Sequence, residues 1–275
     1  MKVVITGGCG KAGRYIIPEF LNHGYEAVNV DIAHHPDSMG EFRTADLMEY
    51  DQTLAAFEDA DAIIHMARSD SRRNPEAVFA VNVTTTWNVL QAAEELEIKK
   101  CVLASSVNAI GAVFSHALVP PEYFPIDEKH PTRAEDAYSQ SKWVGEQIAD
   151  GFARRSSVQI ASFRFHALLS GEDLASYRNS PNDDPRENAK DFWGYLHLAD
   201  CGRACRLALE HDWTGHEAFF INAADTSLTV TTLDALHAVY PGVPLVEELF
   251  GYTSPLSIKK AKDLFSWEPQ ITWRQ

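Results

Sequence analysis

Nowhere does the chain hold the run of about 18 apolar residues that a membrane-spanning helix requires. Its N-terminus, MKVVIT, leads into a glycine-rich turn without the apolar core and small-residue cleavage site of a secretory leader. A soluble, cytoplasmic protein with no membrane partner is expected. Positive charge is also scarce. Against 39 acidic residues stand 24 basic ones, a net charge of -15, so the mean surface field repels a polyphosphate backbone and nucleic acid is not an expected partner. Cysteine is sparse as well: Cys9, Cys101, Cys201 and Cys205 form no CxxC pair and no disulfide-like framework, which suits a reducing compartment. His197, Cys201 and Cys205 share one face of an expected helix, but a zinc site there lacks an evident fourth ligand. Packing as small core residues is the preferred reading, and no metal is expected.

Apolar material is ample. The 275 residues are 45% hydrophobic and include 14 Phe, 9 Tyr and 6 Trp, enough for one main core with a smaller appended lobe. Short apolar runs at 2–6, 27–32, 62–67, 101–105 and 158–165 read as buried strands. Helical periodicity fills 14–23, 76–96 and 137–154 between them. Strands without alternation, separated by helices, predict a Rossmann-type doubly wound parallel α/β sheet with a small C-terminal lobe. Residues 1–165 are expected to form the nucleotide-binding domain, and 166–275 to complete the sheet and build the lobe. Beyond Phe165, a polar stretch over 168–190 predicts a long loop that acts as a flap. Regular structure is expected to resume at Tyr195, with a strand-like YLHL, a helix over 200–210, a strand over 218–221 and helices over 230–239 and 258–265.

The first strand runs into TGGCGKAG, with Gly7, Gly10 and Gly13 spaced by three and opening a helix. Residues without side chains let the backbone approach a pyrophosphate at the helix N-terminus. A P-loop is excluded because Ile5 stands where its first glycine belongs and Ala12 follows Lys11. Asp31, at the end of the second strand, is placed to accept hydrogen bonds from ribose hydroxyls and to repel a 2′-phosphate, so NAD is preferred over NADP. In AYSQSKW, Tyr138 and Lys142 lie one helical turn apart. A free phenol, with pKa about 10, is a poor base near neutrality, and an adjacent ammonium favours its ionised form.

Taken together, TGGCGKAG, Asp31, Asp46-Leu47, HMA at 65–67, Asn82, SSVNAIG at 105–111, YSQSK at 138–142, YLHLAD and KAKDLFSWEP resemble the extended short-chain dehydrogenase/reductases. The branch they resemble is the NAD-dependent epimerase/dehydratase family. The resemblance covers nearly the whole chain. It implies NAD bound by Gly7, Gly10, Lys11, Ala12, Gly13 and Asp31, with Asp46 and Leu47 against the adenine. His65, Met66 and Ala67 would line the channel, and Asn82, Tyr138 and Lys142 would complete the cofactor set. For Asp46 and His65, capping or core roles remain open. It further implies a catalytic set of Ser106, Tyr138 and Lys142. Tyr138 would take the hydroxyl proton, Lys142 would also bond the nicotinamide ribose, and Ser106, rather than Ser105, would donate to the substrate oxygen.

Enzymes of this branch act on sugars. His166-Ala167 stands where relatives commonly carry an Asn, the lobe is short, and arginines for a diphosphate are few, with Arg178 and Arg186 as the flap's candidates. A small free sugar or sugar acid therefore fits better than a nucleotide sugar. SSVNAIG is similar to the matching stretch of uronate dehydrogenases, which adds Val107 and Asn108 to the substrate candidates beside His166. Arg68, Arg72 and Arg73 either meet a substrate carboxylate or form a solvated loop. Dehydrogenation with release of NADH, epimerisation or dehydration with NAD retained, and non-catalytic NAD binding all remain open. Relatives pair through helices corresponding to 76–96 and 137–154, which predicts a homodimer; Trp87 and Trp143 lie either at that contact or in the core.

Overall fold

The computed structural model describes residues 1–69 and 74–275. Its main sheet is built from β1 (Lys2–Thr6), β2 (Glu26–Asp31), β3 (Glu41–Thr44), β4 (Ala62–His65), β5 (Lys100–Ala104), β6 (Gln159–Phe165) and β9 (His216–Ile221), in the order β3-β2-β1-β4-β5-β6-β9. Every neighbouring pair is parallel. Parallel strands need long crossovers, and the helices that supply them cover both faces. That is why the strands read as unbroken apolar runs. Val3 and Ile5 enter one core with Ile16, Ile17 and Phe20 of α1 (Gly13–Asn22), Cys201 and Cys205 of α6 (Leu198–Glu210), and Phe265 of α8 (Lys259–Phe265). Val4 enters the opposite core with Val89 and Leu90 of α3 (Pro75–Glu95) and Ala149 and Phe152 of α4 (Ala137–Arg155). Phe20 and Trp267 are fully buried, and truncating either to Ala is expected to cost about 3–5 kcal/mol.

Strand order reverses between β1 and β4, and the crevice beyond their carboxyl ends is where such sheets bind ligands. A further apolar cluster, including Val107, Phe124, Trp193, Phe220 and Tyr240, rises beyond that edge beside α7 (Thr232–Val239).

Three features differ from the sequence reading. The edge strand β3 and α2 (Tyr50–Ala56) carry too little apolar periodicity to be seen: all of β3 is exposed or half-buried. The flap is not all loop. It contains α5 (Gly171–Asn179), started by a capping box in which the Ser170 hydroxyl accepts from the Asp173 amide and Asp173 accepts from Ser170. YLHL contributes only β8 (Leu196–His197), which pairs with β7 (Leu168–Leu169) apart from the main sheet.

Candidate active site

The glycine turn bends where a side chain would not fit. Gly7 has φ +65°, and a Cβ there would stand 2.7 Å from the Ala67 nitrogen, so the ends of β1 and β4 meet only without one. At Gly13 a Cβ would come within 2.3 Å of Gly8 Cα. Among the described residues, the backbone amides of Lys11 and Ala12 have no hydrogen-bond acceptor, and both residues border the cleft. Unpaired N–H groups at a helix N-terminus favour an anion. Asp31 accepts from the Cys9 amide (3.0 Å) and the Ile32 amide (2.8 Å), which holds its carboxylate at the cleft wall. Asp46, Leu47, Met66 and Ala67 line the same wall.

The cleft is large, about 1370 Å³, and continues from the glycine turn to Ser106, Val107, Asn108, Tyr138 and His166. Asp136 caps α4 by accepting from the amides of Tyr138 and Ser139, so Tyr138 sits in the first helical turn at the cleft edge. Lys142, one turn on, lies behind it, 9% exposed, with Nζ donating to the Ala104 carbonyl at 2.7 Å. Its Nζ is 5.7 Å from the centre of the Tyr138 ring, and the Arg68 guanidinium is 5.8 Å from the same ring. Burial, helped by the Arg68 charge, lowers the Lys142 ammonium to about 7.

The two adjacent serines have different partners. Ser105 donates to Glu146 Oε1 at 2.6 Å, whereas the Ser106 oxygen accepts from the Asn108 amide at 3.1 Å and, among the described residues, its hydroxyl hydrogen has no acceptor. The Asn108 side chain makes no hydrogen bond among the described residues and borders the cleft.

Other candidates are reassigned. Asn82 does not border the main cleft: its amide accepts from the Ser69 nitrogen and donates to the Ser69 carbonyl and Ser141 Oγ, so it fastens the segment after β4 to α4. His166 lines the cleft, but Nδ1 accepts from the Ala167 amide and Nε2 donates to the Asp191 carbonyl, both at 2.7 Å. Burial lowers it to about 4, so it is a neutral clamp with both ring nitrogens occupied. Arg178 is turned to the carbonyls of Trp273 and Gln275, and Arg186 is exposed beside Asp184; neither borders the cleft. Arg72 and Arg73 lie outside the described residues. His197 accepts the Ala199 amide at the start of α6, and Cys201 and Cys205 pack in the core.

Asp191, unremarkable in sequence, borders the cleft beside His166, and burial raises its carboxyl to about 7. Nothing short-range marks it. Lys11 bonds across the cleft to Asp173 of α5 at 2.6 Å and to the Leu168 carbonyl at 3.2 Å.

The family model described as "NAD dependent epimerase/dehydratase family" matches residues 3–222. A protein of Methanocaldococcus jannaschii named "Putative UDP-glucose 4-epimerase" is 30% identical, over 99% of this chain and 95% of its own length. The L-arabinose 1-dehydrogenase (NAD(P)(+)) of Haloferax volcanii is 26% identical, over 76% of this chain and 82% of its own. Among solved structures, a short-chain dehydrogenase/reductase superfamily protein of Agrobacterium tumefaciens with bound NAD aligns with a TM-score of 0.77. The alignment covers 100% of this chain and 94% of that one at 19% identity, a likeness of fold.

Proposed function

This chain belongs to the NAD-dependent epimerase/dehydratase family, and from that premise we propose that it oxidises a hydroxyl of a small sugar or sugar acid with NAD. The observation that carries the reading is a single cleft bordered at one end by the glycine turn and Asp31 and at the other by Ser106 and Tyr138, with Lys142 buried behind.

The residues present fit the dinucleotide. Gly7, Gly10 and Gly13 with the backbone amides of Lys11 and Ala12 would hold its pyrophosphate, Asp31 its adenosine ribose, Asp46 and Leu47 its adenine, and Met66 and Ala67 its channel. When bound, the nicotinamide supplies the acceptor for the hydride. The chain's own part is proton handling and charge stabilisation. Tyr138 takes the substrate hydroxyl proton, and the cations of Lys142 and Arg68, 5.7 and 5.8 Å from its ring centre, favour the phenolate that can do so. Ser106 donates its unspent hydrogen to the substrate oxygen, and Asn108 offers an amide to a neighbouring hydroxyl.

A free sugar is favoured over a nucleoside diphosphate sugar by charge. Away from the glycine turn, the described lining carries Asp136 and Asp191, the latter drawn toward neutrality by burial, against Arg68. Arg68 is the residue to meet a sugar acid's carboxylate. We assign residues 1–165 to cofactor binding and 166–275 to completing the sheet and the substrate lobe. Pairing of two copies through α3 and α4 is supported by Trp87 and Trp143, 45% and 37% exposed on those helices. A reducing cytoplasm suits the four free thiols.

The second reading is an epimerase that retains NAD, supported by the name of the Methanocaldococcus relative. Incubation with NAD and a panel of uronates, aldoses and nucleotide sugars, with NADH absorbance and sugar composition followed together, separates the two. Net NADH is expected. Isomerised sugar without NADH would establish the second reading, and NAD binding with neither product would leave a non-catalytic binder. Tyr138→Phe is expected to abolish turnover while leaving NAD affinity within about twofold, since the phenol acts on the transition state; a variant with wild-type turnover would remove Tyr138 as the base.

A further inference from the structure

Lys142, Glu146 and Asp150 recur at every fourth position of α4 and so share one face. From Asp150, a line of contacts leads inward. His216, at the start of β9, has Nδ1 2.7 Å from Asp150 Oδ1 and Nε2 2.8 Å from Ser162 Oγ. Accessibility falls along it: the Asp150 side chain is 42% exposed, that of His216 5%, and Ser162 1%. Ser162 then borders a small cavity of about 10 Å³ under α4, shared with Lys142, His65, Ser105, Ser141 and Glu146. That volume is about what one water molecule needs, and the walls are polar enough to hold it.

The hydrogen-bond chemistry gives the line a direction. The Asp150 carboxylate only accepts, so His216 carries a hydrogen on Nδ1, and in the neutral ring this leaves Nε2 to accept from the Ser162 hydroxyl. The other titratable walls are committed elsewhere. Glu146 is held by Arg164 through two bonds of 3.0 and 2.8 Å and by Ser105. His65 is bonded to Thr6, and burial with the nearby Lys142 charge keeps it neutral.

We propose that Ser162, His216 and Asp150 form a proton exit that connects Lys142 to solvent behind the sheet. The inference rests on the dehydrogenase reading above. Oxidising a carbinol to a carbonyl sends the C–H electron pair to the nicotinamide and breaks the O–H bond, so each turnover leaves one proton on Tyr138. An epimerase returns that proton to its substrate; a dehydrogenase must export it while sugar and dinucleotide fill the cleft. Lys142, which flanks Tyr138 and borders the cavity, passes the proton to the cavity water. Ser162 receives it there and gives its own to His216 Nε2, the Nδ1 proton leaves by way of Asp150, and a turn of the imidazole ring restores the hydrogen facing Asp150 for the next turnover. No bond other than O–H and N–H is made or broken along the line, and no redox partner is needed.

Ser162→Ala, His216→Ala and Asp150→Asn test the exit. For a step that relies on positioned acid–base groups, kcat for NADH formation should fall about tenfold or more in the first two and less in the exposed Asp150 variant, with KM and NAD affinity nearly unchanged. Added imidazole should restore His216→Ala. In the ligand-free protein, ¹⁵N NMR should show His216 protonated at Nδ1 and bare at Nε2, with the Nε2 resonance moved by Ser162→Ala. Wild-type kcat in both buried variants overturns the proposal, as does a ring protonated at Nε2. A loss that tracks a fall in Tm and resists imidazole assigns these residues a structural role and overturns it too. If wild-type protein forms no NADH from any sugar, the dehydrogenase reading itself fails, and with it the need for an exit.

Discussion

Lys142 meets opposing demands: the proton transfer proposed for Tyr138 calls for a cation beside the phenol, and burial disfavours one. Its folded value of about 7 lies below the ordinary lysine value of about 10.4, so between those limits the unfolded chain binds more protons than the folded one. The contribution to stability is therefore present above about pH 10 and is lost as pH falls through 7. Lys142→Met removes the buried charge. Thermal scans should find the variant gaining on wild type as pH falls from 10 to 7, while its turnover is lost; a pH-independent difference in Tm would contradict the burial argument. At this scale the sequence was legible where a motif names a side chain. Ser106 and Tyr138 reach the cleft, and Lys142 stands behind them. It was not legible where a polar atom's availability depends on distant partners. Asn82 is spent on Ser69 and Ser141, and His166 on Ala167 and on Asp191, 25 residues away.

Among the elements, α5 has the clearest mechanical role. Its capping residue Asp173 also receives Lys11 from the glycine turn, so one ion pair ties α5 to the glycine-turn end of the cleft. The Lys11 bond, with those from Ser170, holds the Asp173 carboxyl down to about 2, and the pair persists across the working pH range. Both side chains are substantially exposed, which limits such a pair to about 0–1 kcal/mol and makes it sensitive to salt. Lys11→Ala and Asp173→Asn should each speed NAD release about two- to fivefold at low ionic strength, a difference that shrinks as salt is added. Stopped-flow release kinetics check this, and equal rates at low salt would remove the tie. Helix α4 shows a different limit of sequence reading. The spacing of Lys142, Glu146 and Asp150 was available in the sequence, yet it gains meaning only from Ser105, Arg164, Ser162 and His216, which β5, β6 and β9 bring to that face.

Across the whole molecule, α3 and α4 pack side by side and leave two tryptophans at the surface. The Trp87 ring lies against Phe152 and under Arg155, which leaves Trp143 as the better probe of pairing. Trp143→Glu should convert a dimer to a monomer in sedimentation velocity without changing the far-ultraviolet spectrum, because a charge in a desolvated contact is costly and on a free surface is not. A wild-type protein that sediments as a monomer would remove the dimer. Sequence alone determined the layered parallel sheet, since strands covered on both faces must be apolar throughout and crossovers must be helical. It also determined the glycine turn and pointed to Ser106, Tyr138 and Lys142 as candidates, because those readings rest on short spacings. Only the tertiary structure decided that Asp191 borders the cleft, that Lys11 reaches Asp173 and that His216 links Asp150 to Ser162. Each of those pairings joins segments far apart in the chain, and a side chain's charge, tautomer and free hydrogen bonds are set by what folding places against it.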